Sequence, residues 1–67
     1  MELKNLDRKP TAFEVIPEVH STSPIEVDTE GTVSIPAFTG LNVAEAKEVA
    51  MSVLFAAALA QLEKTNV

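Results

Sequence analysis

A chain of 67 residues with ten acidic side chains, five basic ones and a net charge of −5 lacks the basic footprint that nucleic-acid binding requires. It has no cysteine and a single histidine, which rules out disulfides and thiolate metal sites and removes the common zinc arrangements. Domains this small are usually stapled by disulfides, by a metal or by association, and association is the route that remains.

The first residues, MELKNLDRKP, mix Lys4, Arg8 and Lys9 with Glu2 and Asp7. They contain no apolar core of a secretory signal, so a cytoplasmic or virion-associated location is expected over a secreted one. Pro10 stops any helix and holds Lys9 extended. Residues 1–11 are therefore expected as an extended arm, ordered only by docking on something, and residues 12–67 as one small domain.

From Ala12 the pattern alternates. Phe13 and Val15 flank Glu14, the period of a half-buried strand that Pro17 ends. Glu18 to Pro24 is polar and turn-rich. Ile25 and Val27 then alternate with Glu26 and Asp28, and beyond the DTEG turn Val33 and Ile35 alternate with Thr32 and Ser34. Two alternating runs joined by a short Gly-containing loop predict a hairpin with Ile25, Val27, Val33 and Ile35 on one face. Pro36 closes the second strand and suits an edge position.

A helix start follows. Asn42 is a good N-cap and Glu45, three residues on, completes a capping box. Glu45 and Glu48 near the start and Lys64 in the last turn match the macrodipole. The helix is expected over 43–64, roughly 33 Å at 1.5 Å per residue. The fold class is α+β: a short antiparallel hairpin or three-stranded meander followed by one long C-terminal helix.

Within that helix, VAMSVLFAAALA (Val49 to Ala60) has Ser52 as its only polar residue. An amphipathic surface helix carries one apolar stripe; a helix apolar nearly all round must be covered on more than one side. Its apolar run is short of the ~20 residues of a bilayer span and rich in alanine, so a buried soluble helix is expected. On a helical wheel the apolar residues sort by size. Met51, Leu54, Phe55, Ala58, Leu59 and Leu62 gather on one side; Ala46, Val49, Ala50, Val53, Ala56, Ala57 and Ala60 gather on the other. Large residues suit the sheet, and small ones allow a second helix to approach closely. The small face is thus the expected interface, and 46, 50, 53, 57 and 60 have the spacing of a heptad seam. The reverse assignment, with the alanines on the sheet and the large residues at the seam, stays open, as does an alanine face simply left in water.

Chemistry-bearing candidates are sparse. His20 sits in a polar connection beside Ser21, Thr22 and Ser23 with no pocket to make it a base, and a metal on Glu18 and His20 lacks further ligands. The acidic turn Asp28, Glu30, Gly31 lacks the ligand series of a calcium loop. Gly40 has no companion glycines for a phosphate cradle. No catalytic, cofactor or metal site is expected, and the chain is read as not an enzyme.

One segment, IPAFTGLNVAEAKEVA (Ile35 to Ala50), resembles the opening of PASTA domains, where a short Pro-containing strand leads through a Gly into a capped helix. That resemblance implies a module binding cell-wall fragments or beta-lactam-like ligands; it covers sixteen residues, and the more apolar helix beyond Ala50 departs from the family pattern. The residues themselves point to a non-enzymatic structural or assembly protein. Such a protein would associate with itself through the helix and with another protein as an accessory subunit of a larger, for instance viral, assembly. An acidic inhibitor or regulator of a basic protein surface is the alternative.

Overall fold

The computed structural model describes residues 1–19 and 23–65. Four strands come first: β1 (Glu2–Asn5), β2 (Thr11–Ile16), β3 (Ile25–Asp28) and β4 (Val33–Ser34). They form one antiparallel sheet in the order β1-β2-β3-β4, a meander in which each strand pairs with its neighbour in sequence. One helix, α1 (Val43–Thr65), follows and lies across β2 and β3, reaching β4 but not β1. The architecture is therefore α+β, with one strand more than expected.

Residues 1–11, expected as an extended arm ordered only by docking, include this additional strand, docked on β2 of the same chain. Leu3 pairs with Val15 and Asn5 with Phe13, so this segment is the edge of the sheet. Its four residues are all exposed because α1 does not extend over them, and an edge strand uncovered on both faces has no reason to alternate.

Register in the rest follows the expected alternation. Phe13 lies opposite Val27, Val15 opposite Ile25 and Val27 opposite Val33, which puts these side chains on the helix-facing side. Val15, Ile25 and Val27 are fully buried and Phe13, Val33 and Phe38 pack around them. A shift in pairing between Thr11 and Phe13 makes an irregularity at Ala12. The opposite face is open and carries the cross-strand row Lys4, Glu14, Glu26 and Ser34, the polar side of an antiparallel sheet in water. Ile35 departs from the expected face: β4 ends at Ser34, Pro36 follows, and Ile35 is 52% exposed.

The hairpin turn is built locally. The Asp28 carboxylate accepts hydrogen bonds from the amides of Glu30 (2.9 Å) and Thr32 (2.8 Å). Gly31 supplies the positive φ of 84° that side-chain-bearing residues avoid. The helix start is equally local. Asn42 Oδ1 accepts from the Glu45 amide at 2.8 Å and Glu45 Oε1 from the Asn42 amide at 3.1 Å. This is the reciprocal capping box that the sequence spells.

Candidate interaction surface

The two faces of α1 are filled in the reverse of the first expectation. Ser52, Ala56 and Ala60 are its buried residues, and Ala56 and Ala60 join Val15, Ile25 and Val27 in the core, with Val53 and Leu59 packed beside them. The small side chains face the sheet. Of the seven residues expected at an interface, Ala56 and Ala60 are consumed inside the monomer, Val49 and Val53 are half-buried, and only Ala46, Ala50 and Ala57 remain exposed. The small face is therefore not left whole for a second helix: of the series 46, 50, 53, 57 and 60, Val53 and Ala60 already pack against the sheet.

Close approach is the physical reason. An added Cβ on Gly31 would stand 2.8 Å from the Ala60 carbonyl oxygen and 2.8 Å from Lys64 Cβ, so the β3–β4 turn touches the helix backbone. With the C-terminal half of α1 pinned that near, the positions fully enclosed between helix and sheet hold alanine, and the larger Leu59 packs at their side. Ser52 is accommodated at the same face by donating from Oγ to the Glu48 carbonyl at 2.8 Å, a bond within the helix that leaves no unmet polar group in the core.

A second anchor holds the other half. Glu48 Oε2 accepts from the Glu18 amide at 3.0 Å and lies 2.9 Å from the α-amino group of Met1, which is 3.6 Å from Glu18 Oε1. The Glu18 amide bond, followed by the Met1 ammonium, holds the Glu48 carboxyl below its usual range; the bond to Glu48 in turn raises the Met1 ammonium. This carboxylate clips α1 to the segment that follows β2.

With the small side on the sheet and Leu59 packed beside it, the rest of the large side is left in solvent. Met51 is 59% exposed, Leu54 71% and Leu62 62%, with Val43 and Phe55 also exposed. Exposed alanines at 50, 57 and 58 fill the gaps between them. Lys47, Gln61 and Thr65 are polar residues on the same exposed side. These exposed apolar side chains lie along one side of α1.

Other candidates do not assemble. Asp28, in the acidic turn, is engaged by its own turn amides. A hollow of about 330 Å³ between the β1–β2 loop and the hairpin turn is lined by Leu6, Asp7, Arg8, Lys9, Ala12 and Thr29. Its charged groups are of both signs, and Arg8 reaches Glu14 on the open sheet face at 4.0 Å. No group of three or more possible metal ligands occurs among the described residues; His20, Ser21 and Thr22 lie outside them. Among the described residues, no helix is long and apolar enough to cross a membrane. No protein family, curated protein or solved structure matches the chain.

Proposed function

We propose that this protein is a non-enzymatic assembly module that associates with copies of itself through the outward face of α1, as an accessory part of a larger assembly. The observation that carries the reading is the exposed strip Met51, Leu54, Phe55 and Leu62 on a helix whose other side is already packed. Leaving large apolar side chains in water forgoes about 1.5–3 kcal/mol for each that could be fully buried, and covering the strip recovers part of that. Alanine on the inside and large residues on the outside is an arrangement that a monomer gains nothing from.

Light scattering on size-exclusion chromatography, followed across dilution, tests it. A dimer or higher oligomer is the expected mass. Leu54→Glu places a charge at the centre of the strip and is expected to weaken association by at least about tenfold, or 1.4 kcal/mol, with the circular dichroism of the monomer unchanged. A folded wild-type monomer at every concentration overturns the proposal. Added salt distinguishes it from an acidic regulator: an apolar seam persists, whereas a contact made by acidic groups weakens.

A further inference from the structure

Resting on that reading, we infer that two copies pair α1 against α1 in antiparallel fashion, about a two-fold axis beside Leu54. At ~100° per residue the direction opposite the buried Ser52, Ala56 and Ala60 falls near Leu54, with Met51, Leu62 and Phe55 all to one side of it. Lys47 and Gln61 lie close to the same line seven residues to either side; Met51 and Ala58 flank it on one side and Ala50 and Ala57 on the other. A two-fold axis perpendicular to the helices brings the turns below Leu54 level with those above it and keeps each residue on its own side of the seam, so a residue meets the nearest one on that side. Met51 of each copy then meets the partner's Ala58, Ala50 meets the partner's Ala57, and Leu62 meets the partner's Ala44. Met51 and Leu62 are thus each opposed by an alanine, as when two helix surfaces interdigitate, and Leu54 meets the partner's Leu54 on the axis. Phe55, at the rim, meets the partner's Phe55, where two rings can pack edge to face.

Charge selects the same orientation. Lys47 is exposed near the line of the seam. A parallel pair sets it level with the partner's Lys47, two like charges on one seam, and aligns the two helix dipoles. The antiparallel pair sets it beside the partner's Gln61, within the last turns before α1 ends at Thr65, where the carbonyl end of a helix favours a cation. The two sheets then lie on the outer sides of the helix pair and their open faces stay in water.

Since the chain has no cysteine, single Lys47→Cys and Gln61→Cys variants carry spin labels without background. In the antiparallel dimer two labels at position 47 stand about 21 Å apart along the axis, from fourteen helical rises, and so do two labels at 61. A mixture of the two variants yields a short cross-distance close to the 8–10 Å separation of packed helix axes plus the label arms. Short distances for either variant by itself overturn the antiparallel pairing while leaving self-association intact. A dimeric mass with no short distance in any sample overturns α1 as the seam, and a monomeric mass overturns self-association as well.

Discussion

The inner and outer faces of α1 use the same kinds of residue for opposite ends. The inner face, Ser52, Ala56 and Ala60, is small because the helix must come close to β3 and to the turn at Gly31. The outer face, Met51, Leu54, Phe55 and Leu62, is large although nothing within the described chain covers it. Hydrophobic content alone does not distinguish the two; shape does. The difference teaches that the core of a very small domain can be limited by distance rather than by volume. Most of the bulky side chains of α1 then lie outward, with Leu59 at the margin of the core.

The sharpest way to break this comparison is to make one substitution on each face. Ala56→Glu buries a charge with no partner against Val15, Ile25 and Val27, a class of change that costs about 3–5 kcal/mol, and the domain is expected to unfold. Ala58→Glu, on the exposed side, is expected to leave the monomer's thermal transition within a few degrees of wild type while reducing the oligomeric mass. Paired melting curves and light scattering read both. Equal destabilisation by the two variants would mean that the faces are not distinct.

Gly31→Ala comes next. It places a side chain in a left-handed conformation, at about 1 kcal/mol or more. It also drives a methyl group against the Ala60 carbonyl and Lys64 Cβ, an overpacking cost of about 1–3 kcal/mol. The expected sum is roughly 2–4 kcal/mol in a urea titration. Gly40→Ala is the control, for it has a positive φ of 68° but nothing within 4 Å of an added Cβ; only the first cost should appear. If the two glycine variants lose the same stability, close helix–turn contact is not what selects the alanines.

How far these features can be read from the sequence depends on the range over which each is decided. The capping box at Asn42 and Glu45 and the turn at Asp28 and Gly31 are settled within a few residues, and their letters announce them. The alternation of Ile25, Val27 and Val33 is equally direct, since one face of a hairpin is wet. β1 is not legible: at the sheet edge beyond the reach of α1, Glu2, Leu3, Lys4 and Asn5 are all exposed, so no pattern separates them from a loop. The orientation of α1 is not legible either. A helix apolar nearly all round has no wet face to fix its direction, and the choice falls to Gly31 and to Glu48, which act across some thirty residues of sequence. A glycine in a turn and a glutamate near a helix start each have an adequate local explanation, so neither advertises its long-range contact. The side chains at the candidate surface were therefore all visible as apolar, while the face they occupy was not.

Ser52→Ala sharpens the comparison from the other direction. The inner face has one hydroxyl, bonded to the Glu48 carbonyl of its own helix. Replacing it by a methyl-bearing residue of similar size removes the donor without stranding an acceptor, because that carbonyl keeps its place in the helix ladder. Such exchanges are near neutral, and the expected change is within about 0.5 kcal/mol. Ser52→Leu, by contrast, should lose about 1–3 kcal/mol through overpacking. A tolerant Ser52→Leu would show that the gap between α1 and the sheet is wider than an alanine and would remove the reason for the outward placement of the large residues.

The clip at Glu48 gives the smallest effect, since its groups lie at the surface. Its carboxyl titrates below the usual range because the Glu18 amide and the Met1 ammonium favour its charged form; that contribution is present above the unfolded carboxylate pKa and is lost as acid protonates the group. The Met1 ammonium titrates above its usual range through its bond to Glu48; that contribution is present below the unfolded amine pKa and is lost as base neutralises it. The clip therefore supports the fold between these limits and weakens on both flanks. Glu48→Gln keeps an oxygen for the Glu18 amide but removes the charge, so the urea midpoint should become flatter with pH on both sides while the plateau falls slightly. An unchanged pH profile would place the holding of α1 on Gly31 and the alanine face alone, and the inner face would then suffice to fix which side of the helix is turned outward.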